Sequence, residues 1–484
     1  MSGSRIVRSI LVLALGALAG QALAAQSANQ PPATWVDKDT GHRVWRLTPE
    51  PDSGSLYFNY TAITPDGRWM VYNAPDGIHG LDLTTRKTRL VVPNHGDRMA
   101  ARTIAVGHKT NTVFYLSDDP ATHVTSIRAA NFDTGESRKL VDLPAGYHVD
   151  SINADETLAA GTYEEHPAAR PARGEGSAPG GPLNQPRNKG EMMERRLAAR
   201  IPLVLFAIDL KTGKETKLLH STDWINHLLF SPTDPTLLMY CHEGPWQKVD
   251  RIWTIRTDGS QNTMIHKRTM AMEIAGHEFW GQDGKTVWYD WQYPKGASFY
   301  VAGYNLATGQ RAAYEMERNN WSIHFNVSSD GKLFAGDGGD PGQVAHAPDG
   351  EWIYLLKPQS LLGEGAKNDK DFWQPGVFKP ERLVNMSHHD YRLEPNIRFT
   401  PDNKMIVFRT NMFGPTYVLG VEVDKAAPGA TDVASTPELA RRFKPDGIPP
   451  SSRTPPLVAS GALPPMALAV AVKRPHVVKS VVLA

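Results

Sequence analysis

Cysteine is nearly missing from this chain of 484 residues, which contains only Cys241. A single thiol excludes an internal disulfide framework, so we expect stability to come from a buried apolar core. A strong excess of one charge is also missing, because 52 Lys and Arg residues oppose 51 Asp and Glu residues. This balance gives no reason to expect a nucleic-acid partner or a charge-driven attachment to a membrane surface.

Long apolar runs are missing as well, apart from one short run near the N-terminus. It extends from Ser9 to Gly20, follows Arg5 and Arg8, and precedes the small residues Ala22-Leu23-Ala24. This order is typical of a secretory signal peptide, which we place at residues 1–24. A membrane anchor is disfavoured because the run is too short to span a bilayer comfortably. The sequence therefore predicts an exported protein, periplasmic or secreted, without a membrane span.

Common catalytic and nucleotide-binding motifs do not occur in the sequence. It contains no phosphate-binding P-loop, no dinucleotide-binding glycine fingerprint and no G-x-S-x-G nucleophile elbow. These absences remove the usual sequence grounds for a nucleotide-dependent enzyme or an α/β-hydrolase.

A repeated unit organises the chain from Thr40 onward. Each copy has a short apolar strand, a D-G or D-P turn, an aromatic and β-branched strand, and a third strand that ends in a sequence such as D-L-x-T. We count seven copies of about 40–50 residues, the length of a four-stranded propeller blade. The pattern predicts an all-β fold, a seven-bladed β-propeller over residues 25–424. A pair of β-sandwiches would also use short strands, but would not require the repeated turns.

Two segments interrupt this repeat. Residues 166–200 are rich in Pro, Gly, Ala and Arg, and we interpret them as a loop inserted into the third blade, with one or two helical turns at its end. Residues 425–484 are rich in Pro and Ala, which predicts a disordered or loosely attached tail.

Several polar side chains occur where strands meet connecting loops. His277 and His324 each stand at the entry of a strand and each precede a polar turn. A single histidine is more often a structural hydrogen-bond partner than a ligand, but several at one end of a propeller axis are more informative. Imidazole, carboxylate and amide groups together suit Mn²⁺, Fe²⁺ or Zn²⁺. The candidates are His242, Arg251, His277, His324, His388, His389, Glu394 and Asn396.

Segments containing HEGPW, GHEFW, HFNVSSDG and IRFTPDN resemble the oligogalacturonate lyase family of pectin-degrading enzymes. The resemblance extends over about residues 40–423. It implies a seven-bladed propeller that cleaves short galacturonide oligomers by β-elimination with a bound Mn²⁺. Such a reaction removes the C5 proton beside a uronate carboxylate, which requires a base and a cation that stabilises the developing charge.

The resemblance also assigns expected roles to individual residues. His277 matches the base histidine, Arg251 the substrate-binding arginine and His324 the first metal-binding histidine of the family. His242 is expected to bind substrate or act as a second base, with a buried structural histidine as the alternative. Trp280 is a candidate for stacking on a sugar ring.

The metal-binding pattern of the family is not reproduced. Where the family has Gln-x-x-His-x-His, this chain has Tyr391 followed by Glu394 and Asn396. Glu394 and Asn396 carry oxygen donors, and the two histidines just upstream offer replacement imidazoles. The expected ligand set for Mn²⁺ is therefore His324, His388, His389, Glu394 and Asn396.

The preferred interpretation is an exported lyase acting on short acidic oligosaccharides. One alternative is a non-catalytic, TolB-like propeller that binds a protein or peptide, although such a module needs no Arg251, His277 and His324 at adjacent blade openings. A metal-dependent hydrolase, with Glu278 or Glu394 as acid, is a third interpretation. The uronate, the oligomer length and the oligomeric state of the protein are left open.

Overall fold

The computed structural model describes residues 30–94, 101–165, 188–342, 347–363 and 372–443. The predicted signal peptide, residues 1–24, and most of the predicted insertion lie outside these residues. Almost all of the regular secondary structure in the described part is β-strand, so the all-β prediction is confirmed. None of its helices is long and apolar enough to cross a membrane.

Four sheets are four-stranded antiparallel units built from consecutive strands. In the chain, the strands of these sheets come after two earlier strands, β1 (Thr34–Asp37) and β2 (His42–Arg46). The first contains β3 (Gly54–Ser55), β4 (Trp69–Ala74), β5 (Gly77–Asp82) and β6 (Thr88–Pro93). The second contains β7 (Arg102–Val106), β8 (Thr112–Asp118), β9 (Thr125–Asn131) and β10 (Ser137–Asp142). The third contains β11 (His148–Ile152), β12 (Leu158–Glu164), β13 (Leu203–Asp209) and β14 (Glu215–Ser221), and the fourth contains β15 (Trp224–Phe230), β16 (Leu237–Glu243), β17 (Ile252–Arg256) and β18 (Thr263–Met264).

The next sheet has eight strands, because two four-stranded units join through the parallel pairing of β22 with β26. One unit contains β19 (Ile274–Trp280), β20 (Thr286–Gln292), β21 (Phe299–Asn305) and β22 (Arg311–Glu315). After a 3₁₀ turn at Arg318–Asn320, the other contains β23 (Phe325–Val327), β24 (Phe334–Gly336), β25 (Trp352–Ser360) and β26 (Trp373–Asn385).

The last sheet joins the two ends of the described chain. It contains β27 (Arg398–Phe399), β28 (Met405–Thr410), β29 (Tyr417–Lys425) and β30 (Val433–Ala434), together with β1 and β2. Strand β2 pairs antiparallel with β29, with Val44 opposite Val421. The early strands therefore complete the sheet that the late strands begin.

Polar turns of one kind follow the first strand of several sheets. Thr64 donates its hydroxyl to Asp66 at 2.6 Å, and Thr400 makes the same bond with Asp402 at 2.6 Å. Gly67 follows with a φ of +74°, a conformation that costs glycine little. The D-G positions of the sequence repeat are thus turn residues, as their chemistry predicts.

The apolar core lies between neighbouring sheets. Val71 of β4, Val113 of β8 and Val407 of β28 are fully buried in one cluster that joins three sheets. Further buried clusters join the other neighbouring sheets, so each sheet buries both faces, which explains the nearly continuous apolar runs in the central strands.

Two parts of the predicted irregular segments are ordered. The end of the insertion forms helix α1 (Lys189–Ala199), longer than the one or two turns predicted, between β12 and β13. Asn188 caps it by accepting a hydrogen bond from the Glu191 backbone amide, and the Arg196 guanidinium lies over the Trp224 ring at 4.6 Å. Capping and this contact give the helix a fixed position that composition alone did not indicate.

Residues 425–443 are not a loosely attached tail, which corrects the prediction for that part of residues 425–484. Strand β30 pairs parallel with β1, and helix α2 (Thr436–Phe443) buries Leu439. The Thr436 hydroxyl accepts a hydrogen bond from the Trp35 indole at 2.8 Å and donates one to Asp37 at 2.7 Å. A Pro- and Ala-rich composition did not reveal these contacts, because they depend on groups some 400 positions away in the chain.

Candidate functional site

A cavity with about 340 Å³ of empty space, partly open to solvent, brings together polar side chains from several sheets. Loops and strands of the first, fourth, fifth and last sheets contribute to it, together with the first turn of α1. The lining residues are Tyr57, Asn59, Lys189, His227, Glu243, Trp246, Arg251, His277, Glu278 and Glu394. Three of the predicted site residues, Arg251, His277 and Glu394, are among them.

Backbone irregularities aim two histidines into this cavity. The pairing of β15 with β16 shifts between Asn226 and Leu229, and that of β19 with β20 shifts between Gly276 and Phe279. His227 and His277 lie in these bulges with φ values of +49° and +47°. A bulge with a left-handed residue redirects one side chain without ending the strand, and such strained positions are concentrated at functional sites.

The same position recurs in four successive sheet units. His227, His277, His324 and Asn396 each stand four residues before the residue that opens the following turn. Asn396 also has a left-handed φ, of +55°. The repeat therefore places chemically capable side chains at equivalent points in neighbouring units.

His277 is oriented by a buried carboxylate. Its Nδ1 lies 3.2 Å from an oxygen of Asp290, and that carboxylate is almost completely buried. The imidazole also packs edge-on against Trp246, whose ring fills the space beside Gly276 so tightly that a Cβ there would lie 2.6 Å from it. With Nδ1–H donated to Asp290, Nε2 is the nitrogen that can accept a proton from a bound molecule.

Arg251 is buried between two carboxylates. Its Nη1 donates to Glu243 at 2.7 Å, and its Nη2 lies 3.8 Å from Glu278. The guanidinium also stacks against Trp246 at 4.4 Å. Burial alone would raise the pKa of Glu243, but Arg251 and His227, whose Nε2 lies 3.3 Å away, hold that pKa well below its ordinary value. Arg251 is thus a fixed positive charge whose Nε has no hydrogen-bond partner among the described residues.

His324 is completely buried and held by Asp337. Its backbone amide and its Nδ1 both contact that carboxylate, at 2.7 and 2.8 Å. Its Nε2 lies 3.2 Å from the Tyr57 hydroxyl and 3.8 Å from Glu394. Burial alone would lower the pKa of His324, but the charge and hydrogen bond of Asp337 raise it above its ordinary value.

The predicted metal ligands are not brought together. Both ring nitrogens of His389 are engaged, by the Thr410 hydroxyl at 2.9 Å and the Leu393 carbonyl at 2.6 Å. His388 contacts Arg441 of α2, and the side-chain oxygen of Asn396 accepts the Phe58 amide hydrogen bond at 3.3 Å.

Of the predicted ligands, His324 and Glu394 are the pair that the structure places close to each other. Over the described residues, no group of three or more His, Cys, Asp or Glu side chains is positioned to hold a metal ion. A Mn²⁺ site needs more oxygen or nitrogen donors than this pair supplies. The residues present therefore do not fit the metal site that the family resemblance implies.

Two other predictions are corrected by side-chain direction. In β16, Glu243 points to the cavity, and the preceding His242 points the opposite way, where it stacks on Trp253 at 5.1 Å. Trp280 donates its indole N–H to the Leu229 carbonyl at 3.0 Å and lines a different cavity. Neighbouring strand residues face opposite sides of a sheet, and this alternation removes His242 from the site.

Sequence reasoning missed several lining residues. His227 could have been found, because it occupies the position before the turn that also holds His277 and His324. Lys189 lies in a segment that the sequence predicts to be a loop. Tyr57 does not occupy the position before a turn that His227, His277 and His324 share. The remaining residues that were missed are Asn59, Glu243 and Trp246.

Comparison with known proteins supports the family resemblance. The sequence model of the family described as oligogalacturonate lyase matches residues 195–426. The chain is 26% identical to oligogalacturonate lyase of Dickeya dadantii and 23% identical to oligogalacturonide lyase of Pectobacterium atrosepticum, each alignment covering 79% of this chain and 93% of the relative.

Two solved structures share the fold. One, described as oligogalacturonate lyase in complex with manganese, is 22% identical with a TM-score of 0.63, and the other, oligogalacturonate lyase from Vibrio parahaemolyticus, is 21% identical with a TM-score of 0.64. Each comparison covers 81% of this chain and 96% of the solved chain. At these identities the likeness establishes a common fold. The family match, the relatives aligned over nearly their whole length and the shared fold agree that this chain is similar to oligogalacturonate lyases.

Proposed function

We propose that this protein is a lyase that cleaves short uronate-containing oligosaccharides, the oligogalacturonides, by β-elimination and releases 4,5-unsaturated uronate products. The observation that carries the proposal is His277, a histidine oriented by buried Asp290 and lining the same cavity as Arg251. These two residues stand where the family resemblance expects the base and the substrate-binding arginine.

In this proposal His277 removes the C5 proton of the uronate. A neutral imidazole is a suitable base near neutral pH, and Asp290 both selects the tautomer and stabilises the imidazolium that forms. Trp246 holds the ring from the side at 4.8 Å, so little reorganisation is needed.

A cation must also offset the charge that develops on the substrate carboxylate and its enolate-like form. Arg251 supplies a permanent charge at the cavity wall, but it is already paired with Glu243 and Glu278. Lys189 differs, because it lines the cavity half-buried and no ion pair joins it to another described residue. Lys189 is therefore the lining cation most able to take up a uronate carboxylate.

The proposal also includes the seven-bladed propeller. The four-stranded sheets, the two halves of the eight-stranded sheet and the closing sheet make seven units, and bonds between their first strands support a ring. Phe230 of β15 donates to Ser151 of β11 at 3.0 Å, and Phe399 of β27 donates to Asn326 of β23 at 3.0 Å. Arg398 of β27 closes the ring by donating to the Tyr60 carbonyl beside the first sheet at 2.9 Å.

Two further predictions remain proposals. Export to the periplasm or the medium depends on residues 1–24, outside the described part of the chain. The manganese of one solved relative belongs to that protein. The donors available here do not complete such a site, so the proposed reaction uses only groups of the chain itself.

The test is the ultraviolet absorbance of the conjugated unsaturated uronate during incubation with digalacturonate and trigalacturonate. We expect the absorbance to rise with the unchanged protein and the rate to fall about 10²–10⁴-fold in His277→Gln, which removes the base. His242→Gln, on the outer face of its strand, is the matched control and should keep its rate. New reducing ends without absorbance would indicate hydrolysis and refute the elimination, as would a folded protein inactive on all uronate oligomers.

A further inference from the structure

Tyr57 lines the cavity between the first sheet and the loop before β27, and the resemblance gives it no role. We propose that Tyr57 is the acid of the elimination, donating its hydroxyl proton to the leaving glycosidic oxygen, and that the Asp337–His324 pair positions it. This inference rests on the proposed lyase function and adds the group that such a reaction needs opposite its base.

The geometry forms a continuous hydrogen-bonded chain from the interior to the cavity. Asp337 and His324 are both fully buried and joined at 2.8 Å, and His324 Nε2 lies 3.2 Å from the Tyr57 hydroxyl. Asp337 also accepts the His324 backbone amide, which fixes the carboxylate, and rotation of the imidazole would break its contacts with both Asp337 and Tyr57. An Asp–His pair that ends on a hydroxyl at a cavity wall holds that hydroxyl in a fixed position for a bound molecule.

The acid and the proposed base lie against the same imidazole. The ring centroid of His277 is 4.8 Å from that of His324, and the ring of Tyr57 is 5.1 Å from it. Proton removal and proton delivery therefore take place within one cavity. A phenol keeps its proton at neutral pH, so Tyr57 is available as a donor when the C4–O bond breaks.

Atoms and charges balance in the proposed step. His277 Nε2 takes the C5 proton, the C4–O4 bond breaks as the C4=C5 double bond forms, and Tyr57 transfers its proton to O4 of the departing sugar. Water in the open cavity then returns a proton to the tyrosinate, and His277 releases its proton to solvent, which restores both groups.

The experiment compares two leaving groups in Tyr57→Phe, a change that keeps the ring and its packing against Phe58. One substrate is digalacturonate, whose leaving alkoxide needs a proton, and the other is a 4-deoxy-4-fluoro uronate, whose fluoride leaves without one. We expect Tyr57→Phe to lower kcat about 10²–10³-fold on digalacturonate with little change in KM, and to stay within about threefold of the unchanged protein on the fluoride. Asp337→Asn should show the same dependence on the leaving group to a smaller degree, because it acts through His324.

Two controls separate this inference from its alternatives. His277→Gln should lose activity on both substrates, because both need the C5 proton removed. Tyr60→Phe changes a nearby tyrosine that lines a different cavity and should leave both rates unchanged. Equal losses on both substrates, or no loss in Tyr57→Phe with digalacturonate, would overturn the acid role of Tyr57. An unchanged protein that forms no unsaturated product from either substrate would overturn the lyase function itself.

Discussion

Histidines of this protein differ in role because each imidazole has different partners. His277 and His324 occupy equivalent positions in neighbouring units, yet His277 faces the cavity with one nitrogen free for chemistry, whereas His324 is buried with both nitrogens near polar groups. His389 is the least available for catalysis, since the Thr410 hydroxyl and the Leu393 carbonyl engage its two ring nitrogens. Residue type alone therefore does not assign a role, because the partners of each ring decide it.

A pH dependence of stability follows from His389. Burial lowers the pKa of His389 to about 4, below its ordinary value of 6.5, so the unfolded chain binds this proton more readily between those values. The stability that the neutral ring contributes is fully present above pH 6.5 and is lost as the pH falls to about 4. From pH 7 to 4.5 we expect a loss of about 2 kcal/mol from this group in urea unfolding.

His389→Gln keeps an amide donor for the Leu393 carbonyl and cannot titrate. The difference in unfolding free energy between the two proteins should therefore shrink as the pH falls from 7 to 4.5. Parallel losses in both proteins would show that His389 does not carry this acid sensitivity. The comparison with His389→Gln isolates His389 from the other ionisable groups near it, Asp390 and Arg409.

At the scale of elements, helix α1 is the part of the inserted segment that reaches the cavity. Arg196 bonds Glu164 of β12 at 3.0 Å, and Glu194 bonds Lys248 at 2.9 Å, beside the loop that carries Trp246. These contacts hold the helix across two sheets and bring Lys189 of its first turn to the cavity wall. The insertion thus adds a second positive charge to the cavity, one that is not paired with a described carboxylate as Arg251 is.

Lys189→Met should both weaken substrate binding and slow the chemical step. Losing the charge-assisted contact with a uronate carboxylate is expected to raise KM and to lower kcat, each about tenfold, measured with digalacturonate. Lys211→Met, which changes an exposed lysine in the turn between β13 and β14, is the matched control and should change neither constant by more than about twofold. An unchanged KM in Lys189→Met would show that the lysine does not contact substrate.

At the scale of the whole molecule, contacts between distant parts of the chain decide how the last sheet is completed and whether donors for a metal site come together. The last sheet is completed by the early strands β1 and β2, and α2 is attached through Thr436 to Trp35 and Asp37. A metal site of the family kind would likewise require donors from two different units, His324 beside β23 and residues before β27. Here two of the residues before β27 bond backbone groups instead: Asn396 accepts the Phe58 amide, and His389 contacts the Leu393 carbonyl.

Removing divalent metal is therefore expected to leave this protein functional. After dialysis against EDTA, the elimination rate should stay within about twofold, and added Mn²⁺ should not raise the free energy of unfolding. A ligand present at about 100 times its Kd would add about 2.7 kcal/mol, which is easily measured in urea unfolding. Stabilisation of that size by Mn²⁺, or activity that returns only with Mn²⁺, would show that other donors complete a site.

Sequence by itself determined the all-β class, the repeat, its turns and the resemblance to a lyase family. These depend on local physics: strands alternate or bury short apolar runs, and Thr, Asp and Gly form their turns through bonds to near neighbours. The shared position before each turn also identified His277 and His324 as candidate site residues, and it would have identified His227 in the same way.

Only the tertiary structure decided which of these side chains meet. Whether His242 faces the cavity depends on strand register and bulges, and whether His389 is free depends on Thr410, which lies 21 positions away. Tyr57 approaches His324 across 267 positions, and α2 finds its partners across about 400. Such contacts follow from how the sheets pack, and no local pattern encodes them.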